Sequence, residues 1–176
     1  MKRNVSFVKQ APLRRKELQR MNISPSGQQD NLEIISERQY LYDLSHELHN
    51  LAHYHMKLSL IFCDHNQPLS SLILCDWALT AMLKALYIKE HNKPFPERFF
   101  SMVELLHLLH TESAPSLDVV IFIGTIQFLA SNLEREEISK MKKKNVTRLL
   151  NRTDEILYLL STRIMNNPSK RYQSIF

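Results

Sequence analysis

From residue 40 to residue 164 the large apolar side chains of this chain recur three and four positions apart. Side chains so spaced share one face of a helix, whereas a half-buried strand would need strict alternation. Tyr40, Leu44, Leu48, Leu51, His55, Leu58 and Phe62 make one such stripe, inside a helix predicted from Leu32 to about His65. A second helix is predicted from about Leu69 to His91, its main stripe being Leu72, Cys75, Leu79, Met82, Leu83 and Leu86. A shorter one follows from Glu97 to His110, and an almost wholly apolar one from Leu117 to about Glu134. The last carries Val146, Leu149, Leu150, Thr153, Leu157, Leu160 and Ile164. Only two glycines, Gly27 and Gly124, occur in 176 residues. Strand-rich folds need more turn residues than that. The predicted fold is all-α, an up-and-down bundle of four to five helices with a flexible N-terminal leader.

The breaks agree with this reading. Asn66-Gln67-Pro68, Lys93-Pro94-Phe95-Pro96, Thr111 to Pro115 and Asn167-Pro168 each combine proline with turn-forming neighbours. Ser116 is a candidate N-cap, with Asp118 near the positive end of the helix dipole. Gly124, inside an apolar helix, suggests close approach of a neighbouring helix. The expected division is a basic leader over residues 1–33, a bundle over 34–166, and a basic tail over 167–176.

Charge follows the same division. Residues 1–33 carry a net +4, residues 34–133 a net −4, and residues 134–176 a net +5. A nucleic-acid groove built into the folded body would more often place the positive charge there. The strongest basic feature is Lys140 to Lys144 with Arg148 and Arg152. Lys142, Lys143, Lys144, Arg148 and Arg152, helped by Arg14 and Arg15, are the candidate contacts to a nucleic-acid backbone. A solvated charged segment is the competing reading. No apolar run stands behind the basic residues of the N-terminus, and Leu117 to Ala130 is short of the roughly 20 residues a bilayer needs. A cytoplasmic chain that makes no membrane contact is expected, with Cys63 and Cys75 reduced and buried.

Templates for chemistry fail one by one. Two glycines cannot build a phosphate-binding loop, and neither Gly-x-Ser-x-Gly nor Cys-x-x-Cys occurs. All eight histidines lie between residues 46 and 110. His46, His49 and His53 fall opposite the first helix's apolar stripe, where they read as solvent-facing, and no His-Glu-x-x-His arrangement accompanies them. No metal and no cofactor is expected. His55, by contrast, falls within the stripe and is a pocket candidate. A second apolar ridge on the second helix, Ile73, Trp77, Ala81 and Ile88, suggests contact with a partner.

The segment Ala78-Leu79-Thr80-Ala81-Met82-Leu83-Lys84-Ala85-Leu86, after a long first helix and before a proline-bearing turn, is similar to a stretch of the HEPN superfamily. Residues 37 to 165 resemble those small bundles in helix order and spacing. Lys84, the lysine of that stretch, joins His55 as a pocket candidate. The resemblance implies a dimer. It also implies either a ribonuclease with an arginine followed by histidine after four to six residues, or a non-catalytic member that serves as a nucleotide- or substrate-binding module beside a nucleotidyltransferase or as a helical interaction partner. Thr80 and Phe100 depart from the glutamate and histidine common in the family. No arginine here meets the catalytic spacing: seven residues separate Arg38 from His46 and eight separate Arg98 from His107. Arg148 and Arg152 have no histidine after them. The expectation is therefore a non-catalytic HEPN-like binding or dimerisation module. Nucleic-acid binding is the alternative, and a ribonuclease toxin comes third.

Overall fold

The computed structural model describes residues 26–96, 101–110, 117–132, 138 and 141–176, with side chains described from residue 34 onward, Asn132 excepted. The expected leader, up to residue 25, lies outside the described residues, as does the expected cap Ser116. The chain divides into two units, residues 1–35 and 36–176. In the first, residues 26–35 are helical, and Ile34 and Ile35 are exposed.

The described residues are all-α, with no strand among them. The helices are α1 (Ser26–Asp64), α2 (Pro68–His91), α3 (Met102–Leu109), α4 (Leu117–Asn132) and α5 (Lys143–Ile164), followed by a 3-10 turn at Pro168–Lys170. Asparagine does the work that glycine does elsewhere at the two best-defined stops. Asn66 and Asn92 both adopt left-handed backbone, at φ 56° and 49°. After α1 the Gln67 N–H reaches back to the Phe62 carbonyl at 2.9 Å, and after α2 the Asn92 N–H reaches Ile88 at 2.9 Å. Pro68 then opens α2 at a position where its missing N–H costs nothing. Ser101 and Glu104 cap α3 reciprocally.

Within the second unit α1 runs antiparallel to α2, since Ser45 meets Ala85 while Ser59 meets Ser71. Helix α2 packs on both α4 and α5 and is the core of the bundle. Among the described residues it is long and apolar enough to cross a membrane, yet 67% of that apolar stretch is buried against other helices. The buried set includes Ala81 and Ile88, so the ridge expected to face a partner is half internal. Ala78, Ala81 and Ala85 keep α2 slim enough for neighbours to close on it from several sides.

The face that α1 turns inward differs from the expected stripe. Leu41, Ser45, His49, Ala52, Met56, Ser59 and Cys63 are buried, spaced by three and four and rotated by about a quarter turn from Leu44, Leu51 and Leu58. Small side chains on this face let α1 approach α2 closely. Their polar atoms are satisfied across the interface: Ser45 Oγ donates to the Ala85 carbonyl at 3.1 Å, and Ser71 Oγ donates to the Ser59 carbonyl at 2.8 Å. Helix α5 also begins three residues before the first residue of its stripe, so Lys143 and Lys144 are helical.

Gly124 is a further correction. A Cβ built there would lie 3.5 Å from Met102 Sδ and 3.8 Å from Met102 Cε, ordinary contact with a flexible thioether. No close backbone approach requires glycine at this point of α4. Gly124→Ala should therefore raise the unfolding free energy by about 0.5–1 kcal/mol through helix propensity, measured by urea denaturation. A loss of stability would show that Met102 cannot yield.

Candidate functional site

Three regions of the second unit carry features beyond core packing. The first is a buried polar network where the end of the chain meets α1 and α5. His49, expected to face solvent, is only 3% exposed, and its Nε2 lies 2.8 Å from Ser161 Oγ. That hydroxyl also accepts the Tyr172 N–H at 2.6 Å. The buried Asp154 carboxylate accepts from the Tyr172 and Ser174 hydroxyls, and the Ile175 N–H lies 3.3 Å from its Oδ1. The His53 ring packs edge-on against Tyr172 at 4.9 Å. Residues 167–176 are thus a docked segment, with Tyr172 in the core, and differ from the basic tail the composition suggested. Tyr172, with polar residues on either side, gave little signal for this, and the buried acceptor lies eighteen positions back.

Burial pushes His49 below its ordinary range, and the same cause lowers His53 and His55. Lys57 adds to the depression at His53, while Asp154 opposes it. His49 Nδ1 is buried without a hydrogen-bond partner among the described residues. The other histidines have plainer roles. His65 and His91 donate from Nδ1 to Ile61 and Tyr87 carbonyls in the last turns of α1 and α2, and His107 and His110 are exposed. The described residues contain no group of three or more metal-ligating side chains.

The second region is the outward face of α1, where most of the stripe marked by the sequence pattern is joined by Tyr54 and Ile61, while Leu48 of that stripe packs against the core. Tyr40 is 62% exposed, Leu51 42%, Tyr54 58% and Ile61 50%, while Leu44, Leu58 and Phe62 are half-buried. Trp77 on α2, 53% exposed, continues it: its ring lies 5.6 Å from that of His55, which lies 6.1 Å from Tyr54. Half-buried Ile73 sits one turn before Trp77. His55 is therefore part of this surface, and its Nδ1 is buried with no partner among the described residues. Lys84 is elsewhere, its ammonium 5.2 Å from the centre of the Phe95 ring.

The third region is a cleft of about 420 Å³ at one end of the bundle. Helix α1 lines it with Arg38, Leu41, Tyr42, Ser45 and His46, α2 with Ile88, Lys89 and Asn92, and α5 with Ile164 and the following Met165. Neither His55 nor Lys84 reaches it. Sequence reasoning weighed Arg38 and His46 together as a failed catalytic spacing, and His46 also with His49 and His53 as a rejected metal site. The i, i+4, i+8 run of Arg38, Tyr42 and His46 on one helix face is the signal that marks them.

The basic segment is partly committed to the fold. Lys143 pairs with Asp64 at 3.3 Å, and Arg152 bridges Asp118 at 2.7 Å and Glu155 at 2.8 Å. Lys142, Lys144 and Arg148 are exposed. No family model, no curated protein and no solved structure matches this chain.

The depressed histidines set a pH dependence. Their unfolded value is about 6.5; as pH falls below it the unfolded chain takes protons that the folded chain resists, so stability present above that value is lost. Half-buried Asp76, raised by burial, acts in the opposite sense, favouring the fold below the pH at which its folded form ionises. Unfolding free energy should drop between about pH 7 and 5, by at most about 1.4 kcal/mol per pH unit for each histidine. His49→Gln should flatten that slope in denaturant titrations at several pH values. An unchanged slope would remove His49 from the account.

Proposed function

We propose that this chain is a non-catalytic, HEPN-like helical module that works by pairing with a second copy through the outward stripe of α1 and the Ile73–Trp77 edge of α2. The supporting observation is the exposed apolar stripe itself. An aromatic side chain carries about 150–250 Å² and those here are about half exposed, so the five most exposed residues leave on the order of 500 Å². Leu44, Leu58, Phe62 and Ile73 extend this toward the roughly 800 Å² per partner of a standard interface. The first figure is the size of the largest apolar patch on a typical soluble monomer, about 300–600 Å², and such patches are often functional.

Charge suggests how two copies meet. In an antiparallel, two-fold pairing of α1 centred near residue 52, Glu47 of one copy lies opposite Lys57 of the other. Both side chains are exposed in the single copy. Ala81 and Ile88, being internal, have no part in this interface. The resemblance to HEPN modules favours the same reading and makes a nucleotidyltransferase a partner to look for. Nucleic-acid binding through the basic segment ranks second, because Lys143 and Arg152 already hold Asp64, Asp118 and Glu155.

Sedimentation at tens of micromolar should give the mass of a dimer. Leu51→Glu should give a monomer with unchanged helicity, since it would bury an unpaired charge at the seam while leaving the single copy's core alone. Glu47→Lys should weaken the dimer, and adding Lys57→Glu should restore it. A monomeric parent chain would end the proposal.

A further inference from the structure

Residues 167–176 lie against α1 and α5, yet little of this segment is buried. Tyr172 is its one fully buried side chain, Arg171 and Ile175 are half-buried, and the others are exposed. Hydrogen bonds supply most of its hold. The Tyr172 N–H donates to Ser161 Oγ at 2.6 Å, and the Tyr172 and Ser174 hydroxyls donate to the Asp154 carboxylate. The Ile175 N–H lies 3.3 Å from the same carboxylate, and Arg171 Nε donates to the Met165 carbonyl at 3.1 Å. A segment with so few buried contacts opens at a fraction of the cost of unfolding the bundle.

Ser161 ties this segment to His49, because its Oγ accepts the Tyr172 N–H and lies 2.8 Å from His49 Nε2. Neutral imidazole carries one ring hydrogen and imidazolium two. Whichever nitrogen holds the first, the second has no good place. On Nε2 it turns that nitrogen into a donor and takes from the Ser161 proton its acceptor. On Nδ1 it meets no hydrogen-bond partner among the described residues. The charge itself would be 3% exposed. Asn50, the next residue, favours the charged ring, but burial opposes it more strongly, and His46 and His53 on the same helix add like charge. Lys57 extends this row beyond His53. On α5 the opposing charge is Asp154, which bears on His53 and is already shared by Tyr172 and Ser174. Cys75 on α2 brings no charge, since burial pushes its thiol up to about 11, and the Tyr172 hydroxyl is raised by burial and by Asp154.

We propose that residues 167–176 form a strap over the His49–Ser161 pair that lets go when His49 takes up a proton. The Tyr172 backbone sits on Ser161 and its ring on His53, so release opens both histidines to water. The sign follows from burial. Opening returns His49 toward its ordinary 6.5, so the open form takes a proton that the strapped form resists; the strap holds above that pH and loosens below it. This device does not rest on the dimer. Amide hydrogen exchange of the full chain, with rates normalised to an unstructured peptide at each pH, tests it. Protection of residues 171–176 should fall about five- to tenfold between about pH 7.5 and 5.5, the range one proton gives, while α2 keeps its protection. His49→Gln should abolish that fall and His53→Gln should keep it. A parent strap equally protected at both pH values overturns the proposal, as does a loss that α2 shares in full or one that survives His49→Gln. Histidine NMR of the parent chain decides the matter if that variant does not fold. The His49 ring should titrate over the pH range in which protection is lost, and a ring still neutral after the strap has opened overturns the proposal.

Discussion

Helix α2 has almost no face to give to water, and the arrangement of the bundle follows from that. Leu72, Cys75, Leu79, Met82 and Leu86 are fully buried, and so are Ala78 and Ala85 on neighbouring positions. A helix apolar around most of its circumference has to be enclosed on several sides. Helices α4 and α5 cover two of them, and α1 closes a third. The alanines make this possible, because they let three helices come close to one axis without overlap. Cys75 shows how dry the centre is: burial pushes its thiol up to about 11, far from the range of a reactive thiolate.

That enclosure explains the choice α1 makes between its two faces. Its Leu and Tyr stripe is the more apolar, and hydrophobic spacing alone assigns it to the core. Close packing on α2 instead selects the slimmer face with Ser45, Ala52, Ser59 and Cys63, whose serine hydroxyls find the Ala85 carbonyl and the Ser71 hydroxyl once buried. The all-α class, the order of the described helices and the stops after α1 and α2 could be read from spacing and turn residues, because these are local. Which of two faces on one helix is buried depends on the width of its neighbours, and spacing carries no such information. The outward position of His49 was misread for the same reason. Its partner, Ser161, lies 112 positions away.

The polar sites were legible to different degrees. Arg38, Tyr42 and His46 sit together on one helix, yet the cleft exists only because the ends of α2 and α5 arrive beside them. The basic run after residue 140 was plain in composition, but Asp64 and Asp118 take Lys143 and Arg152 out of it. Arg163 is a similar case. It reaches the Glu90 carboxylate and the Leu108 carbonyl at once, joining α5 to the ends of α2 and α3. Side chains of this kind look available for ligands in a sequence, and tertiary structure spends them on holding helices in register.

A bundle that buries the slim side of α1 leaves its oily side exposed, and the chain carries one reporter at that edge. Trp77 is the sole tryptophan and is half exposed in a single copy. Its fluorescence across a dilution series measures the central claim directly. The account requires emission from a sheltered indole at high concentration, moving to longer wavelength as the chain is diluted. Emission of a solvent-exposed indole that stays the same at every concentration would contradict it.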